Sequence, residues 1–457
     1  MPVATPMRPP HDAAAAALGD FVARCAWSDL PEPVAHEAKR ALLNLLGCAL
    51  GVARTEPVEQ AVAVQRRFGG PASATLIGRA DRLDPPGASF VNAVAGNLLD
   101  FDDTHLNTVI HPSAPVAPPA LALGELRGIG GQDVLLAFAL GAEIACRVGN
   151  AVSPGHYARG WHITSTCGVF GAAAACARLL GLSAGQTGHA LGIAASQSAG
   201  IVENLPTAAK NVSVGSAARN GLFAAMMAEA GYAAAPLAIE GPLGWARAMG
   251  DEPDVARMLQ GLGAEWELLT NTYKPYPSGI VLHAVSDACL ALRREHGIAA
   301  EAVSEVVVHG DALLLARGDR PVHTERDARV SIHHTAAVAF LFGATGVREY
   351  GPEAVANPLV AAFRGRVRAA LAPDLPRGAA RVEVVLQDGR RLTATVLHAR
   401  GSMAAPLSDR DIEDKVRALA ADAAPGVDLE MAIERCWRLD ELEHIGDLLR
   451  HWTSAAA

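Results

Sequence analysis

What most constrains this chain is a series of long stretches, dense in alanine and glycine, that fill most of residues 11–265. DVLLAFALGAEIACRVGNAV, STCGVFGAAAACARLLGL, QTGHALGIAASQSAG and VGSAARNGLFAAMMAEAGY are of this kind. Alanine has the best intrinsic helix propensity, and small side chains let helix backbones approach closely. The segment PEPVAHEAKRALLNLLGCALGVAR opens on prolines suited to a helix start, and its Val34, Ala38, Ala41, Leu42, Leu45 and Ala49 recur at helical spacing. A chain written this way predicts closely packed helices. It shows no internal repeat of fixed period.

The pattern changes after about residue 270. SEVVVHGD, from Ser304, is a short β-branched run, and RVEVVLQDGRRLTATVLHARG, from Arg381, is two strand-like runs joined at Asp388-Gly389. That dipeptide readily takes the positive φ angles of a tight hairpin. HAVSDACLALRREHG and HHTAAVAFLFGATG read as helices between them, which predicts a small α+β section. The tail from Ser408 is helical again and is expected to return to the first part. With 457 residues, two domains are the natural prior.

Composition narrows the function classes. A net charge of −9 leaves no basic footprint, which argues against a nucleic-acid partner. The seven cysteines form no CxxC pair, which argues against a zinc knuckle or a disulfide framework and fits a reducing compartment. No Gly-rich phosphate loop follows a strand, so no nucleotide cofactor is expected. The N-terminus lacks a signal-peptide pattern, and no segment is read as approaching the roughly 20 apolar residues that cross a bilayer. A cytoplasmic protein without membrane attachment is the expectation.

Against this apolar background, four polar clusters stand out, since an unsatisfied buried polar group costs about 1–3 kcal/mol. LDFDDTHLNTVIHPS holds Asp100, Asp102, Asp103, Thr104, His105 and His111 between two apolar runs. RGWHITSTCG holds His162 beside Thr164, Ser165 and Thr166; AAKNVSVGSAARNG brings Lys210 into a small-residue helix; and TYKPYPSGIVLHAVSDA gathers Lys274, Tyr276 and His283 around two prolines. Each has an ordinary structural reading as a helix cap, a core histidine or a surface cation. The acidic knot also suggests Mg²⁺, but it lacks the Gly and Glu spacing of a calcium loop. His333-His334 has no suitably spaced third metal ligand.

Taken together and in this order, FDDTH…HPS, GWH-x-TST-x-G-x-FGAAAA, ALGIAASQSAG, K-N-x-S-x-GSAARNG and YKPYPSG…H…D resemble the MmgE/PrpD family over roughly residues 11–450. Its members include 2-methylcitrate dehydratase, cis-aconitate decarboxylase and iminodisuccinate epimerase. The resemblance implies a mainly α fold, a large all-helical domain with an inserted smaller α+β lid domain. Residues 11–267 and 403–457 would make the helical part and residues 268–402 the lid. It further implies a homodimer with no metal and no organic cofactor. Asp100, Thr104, His111, His162 and Lys210 match the family's site motifs and are the expected catalytic residues. Lys274, Tyr276 and His283 match the lid-junction segment and are expected to bind substrate. The chain departs from the family at Ser213, where many members carry histidine, at Gly279, where the cis-aconitate decarboxylases carry another, and at His334.

The chemistry this implies is proton movement at a carbon next to a carboxylate of a small di- or tricarboxylate. Loss of water, as in 2-methylcitrate dehydration, is the first expectation. Loss of CO₂ or epimerisation are the alternatives, and a non-catalytic carboxylate binder is the remaining one. Histidines suit such transfers because their unperturbed pKa is near 6.5. Lysines supply fixed charge for carboxylates, and Asp100 is expected to orient a histidine.

Overall fold

The computed structural model describes residues 14–424 and 426–454; residues 11–13, 425 and 455–457 of the expected helical domain lie outside it. Two compact units make up the chain. One takes the chain up to Asn271 together with the chain from Ile412 on, and the other is Thr272–Asp411.

The first unit is built on the Ala- and Gly-rich helices, among them Glu32–Leu50, Pro85–Asn97, Ser113–Arg127, Gly131–Val152, Ile163–Leu179, Ala184–Ala195 and Ala209–Glu229. All six apolar positions read on the Glu32–Leu50 helix are buried. Glycine is what brings the central helices together. A Cβ on Gly141 would sit 2.6 Å from the Gly171 carbonyl oxygen, and one on Gly171 would sit 2.5 Å from that of Gly141. The helix from Asp409 contributes Lys415, whose Nζ donates to Asn44 Oδ1 at 2.7 Å and to the Phe101 carbonyl at 2.6 Å. That buried cation ties the acidic knot to two other helices.

Two expectations are corrected here. Short strands also occur in the first unit: Ala74–Thr75 pairs antiparallel with Arg82–Leu83, and Asp103–His105 is extended. Ladders of two residues carry no alternation that a sequence could display. They exist because Glu125 accepts from both the Thr75 amide and hydroxyl and from Arg82, which fixes the loop. The second correction concerns length and polarity. The Gly131–Val152 helix, at 22 residues, is long and apolar enough to cross a membrane, yet its apolar window is wholly buried within the structure. Its Glu143 and Arg147 pair at 2.6 Å, and Arg147 donates to the Gln260 and Glu265 carbonyls. It is the core helix of its unit.

The second unit is α+β. Its four-stranded sheet runs Val367–Leu371, Val303–Gly310, Ala380–Leu386, Arg391–Val396, with the first pair parallel and the others antiparallel. The hairpin turns at Asp388-Gly389, where Gly389 has φ +87°. Strict alternation of buried and partly buried residues along Ala380–Leu386 turns Ala380, Val382, Val384 and Leu386 into a core with the His283–His296 and Ile332–Phe342 helices.

Candidate active site

The acidic knot spans the gap between the Pro85–Asn97 and Ser113–Arg127 helices. Asp100 takes the left-handed conformation, φ +55°, one that Asp tolerates better than most residues. This turns the chain so that neighbouring aspartates face different ways. Asp102 points into the protein, fully buried, with Oδ2 accepting from Asn97 Nδ2 at 2.8 Å. Asp103 accepts from Ser113 Oγ at 2.6 Å and from Asn271 Nδ2 at 2.7 Å. Asp100 keeps its side chain partly open and receives Lys210 Nζ at 2.5 Å.

His111 lies between two of these carboxylates. Its Nδ1 is 3.2 Å from Asp102 Oδ1, off the line of a hydrogen bond, and 3.5 Å from Thr104 Oγ1. Its Nε2 is 3.6 Å from Asp100 Oδ1. The His111 amide donates to Thr164 Oγ1 at 3.1 Å, which ties the knot to the first turn of the Ile163–Leu179 helix. His162 is the N-cap residue of that helix, 3% exposed. Its Nδ1 is 3.1 Å from Ser213 Oγ and 3.3 Å from Ser165 Oγ. Ser213 Oγ in turn donates to the Lys210 carbonyl at 2.7 Å, within the first turn of the Ala209–Glu229 helix.

Residues up to 110 positions apart in sequence thus meet in one cluster, buried except for the partly open Asp100: Asp100, Asp102, Thr104, His111, His162 and Lys210. His162 and Lys210 enter it from helix N-termini, where the dipole and free N–H groups favour negative charge. Lys210 is not a bare cation, because Asp100 neutralises it, and an anion arriving there competes with that carboxylate.

The electrostatics separate the groups. Burial, then the charges of Lys210 and His111, push the His162 imidazole down to about 3. Asp102 stays below the ordinary carboxylate range; burial opposes this, but the His111 and Lys210 charges and the Asn97 hydrogen bond prevail. Asp103 is pushed up by burial and by the charge of Asp102. Ligand atoms of Asp100, Asp102 and His111 lie within 4.8 Å of one another and could hold a cation, a position that the Lys210 ammonium already serves electrostatically.

Lys274, Tyr276 and His283 belong to the second unit, and all three are buried. The Tyr276 hydroxyl donates to Asp287 Oδ1 at 2.6 Å; burial and that carboxylate push its pKa up. The Tyr276 and His283 rings meet edge to face with centroids 5.7 Å apart, and His283 Nε2 is 3.2 Å from the Ser278 carbonyl. His105, the knot's other histidine, bonds Glu267 at 2.9 Å and Thr108 at 2.7 Å and braces the loop rather than facing His111. His333 bonds Asp319 and the Val367 carbonyl while His334 bonds the Glu349 carbonyl, so the pair shares no common ligand position.

Three contributors escaped the sequence reading. Asp102, not only Asp100, faces a histidine, and the signal was the density of acid in DFDD. Ser165 and Ser213 flank His162; Ser165 had only its place beside His162 in TST to mark it, and Ser213 only its departure from histidine.

The MmgE/PrpD N-terminal domain model matches residues 16–258, and the MmgE/PrpD C-terminal domain model matches residues 276–439. The cis-aconitate decarboxylase of Mus musculus is 29% identical to this chain over 92% of it and 89% of its own length. That of Homo sapiens is 29% identical over 91% of this chain and 89% of its own. The cis-aconitate decarboxylase of Aspergillus terreus is 30% identical over 60% of this chain and 59% of its own.

Proposed function

The chain belongs to the MmgE/PrpD family, and from that premise we propose that it is a lyase acting on a small di- or tricarboxylate by proton transfer at a carbon next to a carboxylate. The observation that carries this reading is one buried cluster with two histidines in opposite settings. His162 has Lys210 and two serine hydroxyls around it and is held neutral by burial and nearby positive charge. His111 has a carboxylate near each ring nitrogen, Asp102 at Nδ1 and Asp100 at Nε2, so negative charge flanks it on both sides. A neutral imidazole takes a proton and an imidazolium gives one.

In the first reading, loss of water, His162 removes the proton from the carbon and the electron pair forms the new double bond. His111 then passes its proton to the departing hydroxyl, which leaves as water. Asp102 holds the His111 ring, Thr104 donates to substrate oxygen, and Lys210 exchanges Asp100 for a substrate carboxylate. A second reading, loss of CO₂, is favoured by the decarboxylase names of the relatives. There the carbon–carbon bond breaks without a base, and His111 protonates the carbon left behind. No metal is required in either reading, since Lys210 supplies the positive charge at Asp100.

Incubation with 2-methylcitrate, cis-aconitate and related acids in heavy water tests the proposal. Loss of water with a new alkene supports the first reading and release of CO₂ the second. Deuterium uptake with inversion and no net loss would point to an epimerase. Binding without any exchange would refute a lyase. Turnover is expected to persist in a chelator.

A further inference from the structure

We propose that Ser213 and Ser165 are positioning residues that lock His162 as the tautomer protonated on Nδ1, leaving Nε2 as the basic nitrogen. The inference rests on the lyase reading for its catalytic meaning, but the tautomer itself follows from hydrogen-bond accounting.

A serine hydroxyl has one proton to give and lone pairs to receive with. The Ser213 hydroxyl has a backbone acceptor at 2.7 Å, the Lys210 carbonyl, closer than His162 Nδ1 at 3.1 Å. The Ser165 hydroxyl likewise has the His162 carbonyl at 3.0 Å, closer than Nδ1 at 3.3 Å. Both protons are therefore committed to carbonyls three residues back in their helices. What the two oxygens present to Nδ1 is lone pairs, and only a protonated Nδ1 can use them. A neutral ring with hydrogen on Nδ1 has its free lone pair on Nε2. Among the described residues, Nε2 has no hydrogen-bond partner.

The clasp depends on Gly200. This residue has φ +132°, and its carbonyl accepts from the His162 amide at 3.0 Å. A Cβ there would collide with Ser165 Oγ and lie 3.1 Å from Ser213 Cβ. Only a residue without a side chain lets both serines close on the same nitrogen. The result gives the two histidines distinct settings: His162 offers a bare Nε2, while His111 has a carboxylate near each nitrogen.

The test is ¹⁵N NMR of the full-length protein labelled at histidine, with His162→Gln used to assign the ring. Near neutral pH the wild-type ring should show a pyrrole-like Nδ1 and a pyridine-like Nε2. In the Ser165→Ala, Ser213→Ala double variant the Nε2–H form should rise from a minor to a major species, while Ser213→Thr, which keeps a hydroxyl, should resemble wild type. With a turned-over substrate in hand, Ser213→Ala should lower kcat more than it raises KM. A wild-type ring protonated on Nε2 overturns the assignment, even where the double variant does not fold. An unchanged tautomer in a folded double variant overturns the role of the serines. A screen without turnover sinks the lyase reading alone, because the NMR measurement needs no substrate.

Discussion

His162 illustrates how far a local environment moves a single residue. Its ring would ordinarily titrate near 6.5, but burial, Lys210 and His111 bring it to about 3. In the proposed reaction His162 is the base and works when deprotonated, so the acid limb of kcat/KM from this residue should lie well below pH 6.5. Lys210→Met removes the second-largest cause and should move that limb upward, with burial holding it below 6.5; a pH–rate profile of both proteins checks this. His162→Gln should cost at least ~10²-fold in turnover, the usual size of a lost base. Asp102→Asn should cost a comparable factor, roughly 10²-fold, in kcat, because it removes the buried charge beside His111 Nδ1. A loss confined to KM in that variant would show that Asp102 does not act through His111. Lys210→Ala should raise KM for the anionic substrate while the protein still folds, which circular dichroism checks.

At the scale of elements, the site exists because helices come unusually close. The Gly131–Val152 and Ile163–Leu179 helices touch backbone to backbone at Gly141 and Gly171, and the Ala209–Glu229 helix seats Gly221 where a Cβ would lie 2.8 Å from the Val169 carbonyl. This places the first turns bearing His162 and Lys210 side by side. Gly171→Ala has no room to relax, since its Cβ meets a carbonyl oxygen at 2.5 Å rather than a flexible side chain. It should destabilise the protein by roughly 1–3 kcal/mol, the range for overpacking a filled core. Denaturant unfolding of the variant measures it, and an unchanged midpoint would mean the helices can separate freely. The same packing explains why a helix apolar enough for a bilayer is here a protein core.

At the scale of the whole molecule, buried histidines contribute to the acid side of stability. His162 at about 3, His334 at about 4 and His156, also lowered, all have burial as the leading cause. Their folded pKa values lie below the unfolded 6.5, so the unfolded chain takes up the proton first as pH falls. Each contribution is full above pH 6.5 and is lost as pH falls toward the folded value, by up to about 1.4 kcal/mol per pH unit. Glu143 has the opposite sign. Burial raises it to about 7 in spite of Arg147, so its contribution is full below 4.5 and is lost as pH rises through 7. His334→Gln keeps a donor for the Glu349 carbonyl and removes one of the three titrations. Calorimetry should therefore find a shallower fall in Tm between pH 6.5 and 4.5 than in wild type; an equal fall would show that His334 does not take part.

By itself the sequence determined the helical class, the late α+β section and the turn at Asp388-Gly389, because periodicity, alanine content and turn chemistry act over a few residues. It also singled out His111, His162 and Lys210, since a polar residue in an apolar run stands out locally. Which groups touch was decided only by tertiary structure. Asp100 and Asp102 are two residues apart, and nothing in DFDD says that the left-handed turn at Asp100 buries one carboxylate behind His111 and leaves the other on Lys210. His105 and His111 look equivalent on paper, yet Glu267, 162 positions along from His105, claims the first for the scaffold. The two serines at His162 Nδ1 lie 48 residues apart and become partners only because Gly200 lets two helix N-termini close on one nitrogen. Contacts of that kind depend on the packing of whole helices, and no window of sequence contains them.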